Sequence, residues 1–507
     1  MILRHLLKPT LYFDHIMYSR MNIKLSVLIE RPTLCFILFF ILYPKIILSQ
    51  SIQGKVIDSV SKEAIEFAFV VVNDSINLIT GADGSFVVKG LQKKLKTALG
   101  FQMLGYQSRS IQFRFRSDTT LTIEMKEVPI VLQDVLVKER RQKPLKAEEI
   151  VSMAIDSVNK KAKNDFKHTV SGFYSQTHYS IPLLNWGQED HLPNLDTAKT
   201  YHRLIQANLL VSYNSTITNT SIINVRRSKD FRQYKHGYRR GKGRAMSLEY
   251  VSTGGGEERL KATEREKKLY DINGFFTIDP IANHTAKVVP EEKFYLKSGT
   301  YGYLNDDFTK HHTFKLEGVI DYGDEKVAKI KILPSARSYV HGSLGRHHWI
   351  PVGYLFIRLR DFGIMRMDYS YILNPKKKDF DAWMGRALTG LPILFSDVII
   401  YKQIEDKLVL AYLSRFQSDI DVSKGGENPK KMRYYFMERE FVASRYNAEA
   451  DPKQHTLSSI YDPYKYDPLY WEKAGIKSIG FKNYVRMVND LESNGESLGD
   501  QFKGNSK

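Results

Sequence analysis

Alternation of apolar and polar residues runs through most of this chain and limits what the chain can fold into. In "LTIEM" the apolar residues Leu121, Ile123 and Met125 are separated by single polar residues, and "SIQFRF" and "SIQGKVID" follow the same rhythm. A period of two places successive side chains on opposite faces of a strand, so each run has one face to bury. Short runs of this kind, separated by turn residues, predict an antiparallel β-sandwich in residues 51–137.

The stretch "ITGADGSFVVKGL", residues 79–91, contains a strong turn signal. A calcium loop needs several carboxylates at alternate positions, whereas this stretch has Asp83 alone. A phosphate-binding P-loop ends in Gly-Lys-Ser/Thr and opens a helix, whereas Gly84 precedes a β-branched run. An Asp-Gly pair between two β-rich runs instead predicts a tight hairpin turn, with Phe86 and Val88 facing the core of the sheet.

Ordered motifs along the same segment carry a family resemblance. "IQGKVIDSVSKEAIEFAFVVV", "TGADGSF", "LGYQSRSIQF" and "LTIEMKE" follow one another, and the matching positions are Gly54, Val56, Thr80, Gly84, Phe86, Gly105 and Tyr106. In this order they resemble carboxypeptidase regulatory-like domains, the prealbumin-like (Ig-like) sandwiches common in exported Bacteroidota proteins. The family usually has Asp or Asn after the threonine, where this chain has Gly81. The whole layout resembles exported proteins of that phylum that contain such a domain, which is a regulatory appendage without the catalytic zinc.

Residues 1–50 carry the pattern of a secretory signal peptide. The run 34–43 is uninterrupted and apolar, and Lys24 and Arg31 precede it. It is shorter than the roughly 20 residues that cross a bilayer, but it matches the roughly 7–15 residues of a signal-peptide core. The pattern predicts export to the periplasm or to the inner face of the outer membrane, with an uncleaved anchor helix as the alternative. Cys35, the one cysteine, lies inside this run, so neither disulfides nor cysteine chemistry is expected in the mature chain.

The chain beyond residue 137 divides into three further parts. Residues 138–165 read as a charged linker and a helix. Residues 166–447 consist mostly of longer, aromatic-rich β runs joined by short turns, with a charged and glycine-rich insert at 220–275. These runs predict a larger curved antiparallel sheet, similar to the open half-barrels of periplasmic lipoprotein carriers. With a helical tail in residues 448–507, the predicted fold class is mainly β.

The predicted tail joins an aromatic strip to an amphipathic helix. "YDPYKYDPLYW", residues 461–471, repeats Tyr-Asp-Pro and ends in tryptophan. Prolines among aromatic residues favour an extended segment that packs its rings on a neighbouring surface of the same chain, or that binds a partner. Five later residues keep helical spacing and are expected to face one side of a helix: Phe481, Tyr484, Val485, Val488 and Leu491.

Positive charge is concentrated in the insert. The net charge is +19, and "RRSKDFRQYKHGYRRGKGR" places three aromatic residues among nine lysines and arginines. Cations interleaved with aromatic rings can bind phosphates and stack on sugars, so in an exported protein lipid A phosphates or an anionic glycan are the expected ligands. A solvated loop without a ligand is the alternative. The candidate anionic-ligand residues are Arg226, Arg227, Arg232, Lys235, Arg239, Arg240, Lys242 and Arg244.

Motifs for catalysis or metal binding are weak. "HGSLGRHHW" contains His341, His347 and His348, but it lacks an H-E-x-x-H frame, and adjacent histidines on a strand point to opposite faces. Ser343 does not stand in a G-x-S-x-G elbow. We therefore predict no catalytic residue, no metal and no cofactor.

The sequence predicts a non-enzymatic cell-envelope protein that binds a lipid, a lipopolysaccharide, a glycan or an outer-membrane protein, and no nucleic acid. Two alternatives stay open. A hydrolase with an unrecognised site in the larger β domain would show two ionisable residues converging in an apolar pocket. A structural assembly factor for an outer-membrane complex would expose a large apolar patch.

Overall fold

The computed structural model divides the chain into two compact units, Met1–Gln50 and Ser51–Lys507. It describes residues 50–72, 76–81, 83–91, 96–114, 119–128, 145–163, 168–184, 200–213, 218–228, 272–276, 308–309, 312–322, 325–335, 349–373, 393–404, 407–423, 431–446, 464–474 and 481–504. The predicted signal peptide falls outside these residues except for Gln50.

Strands dominate the described residues. The strands are β1 Gln50–Asp58, β2 Phe69–Val72, β3 Ile76–Ile79, β4 Ser85–Leu91, β5 Lys96–Gln102, β6 Arg109–Arg114, β7 Thr119–Met125, β8 His168–Leu184, β9 Thr200–Tyr213, β10 Thr218–Arg227, β11 His312–Tyr322, β12 Glu325–Pro334, β13 Trp349–Arg358, β14 Ile364–Leu373, β15 Ile393–Ile404, β16 Lys407–Ser423 and β17 Lys431–Tyr446. The helices are α1 Ala147–Lys163, α2 Ile272–Phe276, α3 Pro468–Ala474, α4 Phe481–Leu491 and α5 Leu498–Gly504. None of the described helices has the length and apolar content needed to span a lipid bilayer.

Two small sheets, with strand orders β4-β1-β7 and β3-β2-β5-β6, form the first domain. They share an apolar core that is separate from the rest of the molecule: Ile52, Val56, Ile65, Ala68, Val70, Val72, Phe86, Val88, Leu99, Phe101, Ile123 and Met125. One pairing differs from the expected antiparallel pattern, because β1 and β7 run parallel with Val56 beside Ile123. Five strands separate β1 from β7 in the chain, and a parallel pair needs such a long connection.

The predicted hairpin at Asp83 and Gly84 is wrong, although a turn is present there. Gly84 has a φ of +73° and its NH donates to the Gly81 carbonyl at 2.8 Å. The flanking strands belong to different sheets, since β3 pairs with β2 whereas β4 lies beside β1. The NH of Val56 in β1 donates to the Gly84 carbonyl at 2.8 Å and so directs β4 to the other sheet. Phe86, the first core residue after the turn, is buried as predicted.

Two positions of the family motif are explained by close contacts. A β-carbon on Gly54 would lie 2.5 Å from the Leu121 carbonyl oxygen and 2.6 Å from the Phe86 ring. The buried Thr80 hydroxyl donates to the Ile65 carbonyl at 2.8 Å and accepts from the Ala68 NH at 2.9 Å. Glycine and threonine are therefore needed at these positions for packing and for hydrogen bonding inside the sandwich.

The larger domain is built on a ten-stranded sheet with the order β10-β9-β8-β17-β16-β15-β14-β13-β12-β11. All of its pairings are antiparallel, and most join strands that follow one another in the chain. The exception is β8 with β17, which pairs the first strand of the domain with its last. The predicted fold class is confirmed: two small sheets, a helix and a large antiparallel sheet, followed by a helical tail.

One face of the large sheet, here called the inner face, packs against the short helix α2. The Tyr174 ring lies 5.4 Å from the Phe275 ring, and the Phe441 ring lies 5.0 Å from the Phe276 ring, measured between centroids. All four side chains are buried. The helix therefore covers the inner face where β8 and β17 meet.

The opposite face, here called the outer face, has two other neighbours. Trp471 of α3 lies 6.3 Å from Phe173 of β8, and Phe67 of the first domain lies 5.0 Å from Tyr412 of β16. The C-terminal tail and the first domain thus both pack on the outer face.

The predicted apolar stripe of α4 is only partly correct. Met487 and Leu491 are fully buried, whereas Val485 is 42% exposed. Met487 and Leu491 are four residues apart and share a helical face, while Val485 lies on the other side. The side chains of Phe481 and Tyr484 lie outside the described part of the chain.

The predicted insert at 220–275 begins later than expected, because β10 continues to Arg227. Its end also contains regular structure, since α2 starts at Ile272.

Candidate functional site

Polar side chains replace apolar ones along one row of the inner face. Residues paired across neighbouring strands share a face, and the pairings connect Gln176 in β8, Arg439 in β17, Arg415 in β16 and Asp397 in β15. Gln176, Arg439 and Asp397 are at most 3% exposed. We call these four residues the polar row. The Arg415 side chain is 18% exposed. Burial of the other three is unusual because polar and charged groups lose hydration when they leave water.

A second pair of polar residues lies next to the polar row. His178 is two residues after Gln176 and stands opposite Arg203 of β9. His178 and Arg203 are 6% and 4% exposed. The polar row and this pair together place a histidine, a glutamine and three arginines on the inner face of the large sheet.

Hydrogen bonds define which nitrogen of His178 carries the proton. The Tyr174 hydroxyl donates to the Gln176 amide oxygen at 2.7 Å, which leaves the amide nitrogen facing His178 Nε2 at 2.6 Å. An amide nitrogen can only donate, so Nε2 accepts and the neutral ring holds its proton on Nδ1. Among the described residues Nδ1 has no hydrogen-bond partner, and it is buried. The site therefore contains a buried N–H donor that lacks an acceptor in the described part of the chain.

Electrostatics agree with a neutral imidazole. Burial, and then the positive charges of Arg203 and Arg439, hold the pKa of His178 well below its ordinary value of 6.5. At neutral pH the ring is uncharged and its Nδ1–H can donate to an oxygen.

The arginines of the row have different partners. Arg415 makes two parallel hydrogen bonds to the Asp397 carboxylate, at 2.7 and 2.6 Å. Arg439 donates to the Gln417 amide oxygen at 2.8 Å, and its guanidinium lies 5.3 Å from the Phe275 ring centroid. Arg203 and Arg439 also interact with other parts of the protein. The row and the adjacent pair thus combine three permanent positive charges with one carboxylate.

This arrangement suits binding of an anionic group better than activation of a nucleophile. His178 bonds to an amide instead of a carboxylate, and both carboxylate oxygens of Asp397 are held by Arg415. A catalytic base would need a partner that orients it towards a reacting hydroxyl or water. Such a pair is not formed by the polar row and His178.

Two of the predicted anionic-ligand residues lie at the end of β10, where the C-terminal tail contacts them. The Arg226 guanidinium lies 4.5 Å from the Trp471 ring centroid and 4.9 Å from that of Phe502. The Arg227 guanidinium lies 4.8 Å from the Tyr464 ring centroid. The aromatic strip, residues 461–471, therefore packs on a surface of the same chain, which is one of the two roles predicted for it.

The other predicted site residues fall in other parts of the sequence. Arg232, Lys235, Arg239, Arg240, Lys242 and Arg244 lie outside the described residues, and so do His341, His347 and His348. Within the described ranges no group of three or more His, Cys, Asp or Glu side chains is arranged to hold a metal ion.

Sequence reasoning missed the polar row, although weak signals were present. "SQTHYS" in β8 is a run of polar residues that continues a strand, and Arg203 directly precedes the apolar pair Leu204 and Ile205 in β9. Polar residues in strands are usually solvent-facing, and only the pairing of β8 with β17 brings Gln176 beside Arg439.

The first domain can be assigned to a family. Residues 52–137 match the model of the CarboxypepD_reg-like domain family. They form a CarboxypepD_reg-like domain. The resemblance predicted from Gly54, Thr80 and Gly84 is thereby confirmed. The CarboxypepD_reg-like domain contributes no residue to the polar row, which belongs to the ten-stranded sheet.

Three known structures are distantly similar to this chain, and no curated protein matches the sequence. A protein from Bacteroides fragilis, described as membrane-associated and of unknown function, is 10% identical, covers 79% of this chain and 99% of its own, and has a TM-score of 0.14. A DUF1329 family protein from Desulfovibrio piger is 9% identical, covers 59% and 95%, and has a TM-score of 0.18. A candidate carbohydrate-binding protein from Bacteroides uniformis is 9% identical, covers 32% and 89%, and has a TM-score of 0.13. TM-scores this low do not support a statement about the fold or the function of this chain.

Proposed function

We propose that this chain is a non-enzymatic binding protein of the cell envelope, exported to the periplasm or to the inner face of the outer membrane. Its large sheet binds an anionic lipid, a lipopolysaccharide or a glycan through the inner face. The observation that carries this proposal is the buried Nδ1–H of His178 beside Arg203 and Arg439.

A carboxylate or phosphate oxygen fits this position chemically. A buried donor left without an acceptor costs about 1–3 kcal/mol, which an incoming oxygen would recover. Hydrogen bonds to an ionised group are stronger than neutral ones, and a low-dielectric interior strengthens them further. An anionic group would also be attracted by the charges of Arg203 and Arg439.

The basic insert extends the proposed site. Arg227, the last residue of β10, pairs with Ile205 of β9, and Ile205 pairs with Gln176. The chain therefore enters the insert next to the row of paired residues that contains Gln176. We include Arg232, Lys235, Arg239, Arg240, Lys242 and Arg244 as residues that bind the ligand.

Binding of purified full-length protein to lipopolysaccharide and to phosphatidylglycerol vesicles tests the proposal, with phosphatidylcholine vesicles as the neutral reference. We expect Arg203→Gln and His178→Gln each to weaken binding about tenfold or more, equivalent to about 1.4 kcal/mol. Arg360→Gln is the matched control, because Arg360 is an exposed arginine of the same domain, paired with Glu325 at 3.0 Å. Unchanged binding in both variants, with folding verified by circular dichroism, would contradict a role for the inner face.

The insert is tested separately by reversing the charges of Arg239, Arg240 and Lys242 to glutamate. We expect weaker association at low salt, because screening is smallest there. Equal binding by this variant and by the unmodified protein at low salt would remove the insert from the site.

A further inference from the structure

A second cationic surface lies far from the polar row, on the outer face at the β11 edge of the large sheet. Lys315 of β11 stands directly opposite Lys331 of β12, and Lys331 stands opposite Tyr354 of β13. Pairing through β14 to β17 places these residues on the same face as Tyr412. We call Lys315, Lys331 and Tyr354 the lysine–tyrosine patch.

The two lysines of the patch repel each other. Like charges directly opposite in neighbouring strands destabilise a sheet, and their β-carbons are about 4.5–5.5 Å apart. Among the described residues, neither Lys315 nor Lys331 has a carboxylate within 4.0 Å. Lys329, two residues before Lys331, is in contrast paired with Glu317 at 3.5 Å. An anion between Lys315 and Lys331 would relieve the repulsion.

The tyrosine adds a surface for a sugar ring. Tyr354 is partly exposed, and the ammonium groups of Lys329 and Lys331 lie 4.8 and 5.9 Å from its ring centroid. Asp368 stands opposite Tyr354 in β14 on the same face, and one of its carboxylate oxygens accepts a hydrogen bond from Arg366 at 2.7 Å. Cations, acceptors and one aromatic ring side by side match a sugar that carries both hydroxyl and acidic groups.

The composition of the patch argues against a membrane or a nucleic acid. Among the described residues, the large apolar side chains that are exposed are Val60, Leu469 and Val485, and none of them lies on β11, β12 or β13. Shallow insertion into lipid needs such side chains. Nucleic-acid binding relies on several stacking rings, whereas the patch has the single ring of Tyr354.

We propose that the lysine–tyrosine patch is a docking site for an acidic polysaccharide. Carboxylate groups of the polymer bind between Lys315 and Lys331, and a sugar ring packs beside Tyr354. The proposal is independent of the polar row, because it uses another face and other strands.

The test uses the full-length protein and alginate, a carboxylate polysaccharide, with neutral dextran as the reference. We expect the double variant Lys315→Gln/Lys331→Gln to bind alginate about tenfold more weakly by titration calorimetry, and its dependence on salt to decrease. Lys55→Gln/Lys62→Gln is the matched control, since it removes two exposed charges from the first domain. Tyr354→Leu should weaken binding and Tyr354→Phe should retain it. Folding is not at risk in the lysine double variant, because removing the repulsion should raise its melting temperature.

Three results would overturn the proposal. One is an equal loss in the two lysine double variants, which would indicate a general effect of net charge. Another is loss of binding to phosphatidylglycerol vesicles or to single-stranded DNA in the patch variant while alginate binding is unchanged. The third is alginate binding that is lost in Arg203→Gln and kept in the patch variant, which would place the polysaccharide at the polar row. Failure to bind both lipopolysaccharide and phosphatidylglycerol vesicles, with alginate binding retained, would contradict the proposed function of the inner face and leave the patch intact.

Discussion

His178 is a neutral imidazole held among positive charges, and its ionisation is linked to the stability of the protein. In the unfolded chain the ring has its ordinary pKa, whereas burial and the charges of Arg203 and Arg439 depress the pKa in the folded state. Between these two values the unfolded chain binds more protons than the folded chain. His178 therefore contributes stability above its ordinary pKa, and this contribution is lost as the pH falls through the folded value.

We predict that the free energy of unfolding decreases between pH 7 and pH 5 more steeply in the unmodified protein than in His178→Gln. The difference in slope is at most about 1.4 kcal/mol per pH unit for one group. Glutamine keeps an acceptor for the Gln176 amide and removes the titration. Urea denaturation at several pH values measures the effect, and parallel profiles would show that His178 does not titrate in this range.

Any side chain at position 54 should lower the stability of the first domain. A methyl group there would overlap the Leu121 carbonyl and the Phe86 ring, so Gly54→Ala should destabilise the first domain by about 1–3 kcal/mol. Gly100→Ala is the control, because the nearest atom to its β-carbon is Val71 Cβ at an ordinary 3.7 Å. Thermal unfolding of the two variants measures the difference, and equal melting temperatures would contradict the packing argument.

At the scale of elements, α3 fastens the C-terminal tail to the outer face. Trp471 is 6% exposed and contacts both the Phe173 ring and the Arg226 guanidinium. The Asp490 carboxylate of α4 accepts a hydrogen bond from the Tyr201 NH at 3.0 Å. The Trp471 side chain thus links the C-terminal tail to β8 and β10.

Trp471→Ala should lower the free energy of unfolding by about 3–5 kcal/mol, because it removes a large buried ring. Leu469→Ala, on the same helix, should change it by less than about 0.5 kcal/mol, because Leu469 is 66% exposed. Denaturant titration of both variants compares them. A small effect of Trp471→Ala would mean that the tail is held mainly by Met487 and Leu491.

At the scale of the whole molecule, two separate cores meet at a junction on the outer face. Phe67 of the CarboxypepD_reg-like domain contacts Tyr412, and the Met103 sulfur lies 3.8 Å from an Arg366 nitrogen of β14. Phe67 has a φ of +58°, and it is not a member of the sandwich core. The junction also includes Leu104, which packs against the core of the larger domain, and β3, which contacts β17.

We predict that Phe67→Ala lowers the melting temperature of the first domain and has less effect on the large sheet. The domain would lose its contact with Tyr412 and keep its own core. Scanning calorimetry resolves the two transitions, with Val60→Ala as the control, since Val60 is 84% exposed in the same domain. Equal behaviour of the two variants would show that the junction does not stabilise the domain.

Alternating residues made most of the strands predictable, whereas pairing was less predictable. Ile123 and Met125 are buried while Thr122 and Glu124 are exposed, as the period of two indicates. The Asp83-Gly84 turn was identifiable from its residues, but the sheets that its strands join were not. A turn depends on local backbone geometry, and pairing depends on contacts between distant residues.

The sequence by itself determined that the chain is mainly β, that its first domain has the features of a carboxypeptidase regulatory-like sandwich, and that its positive charge is concentrated near β10. These properties follow from local patterns. Only the tertiary structure decided that Gln176, His178, Arg203 and Arg439 meet in the interior, and that Lys315 faces Lys331 on the outer face. The reason is that the register of paired strands, which brings residues more than two hundred positions apart into contact, is a property of the whole sheet.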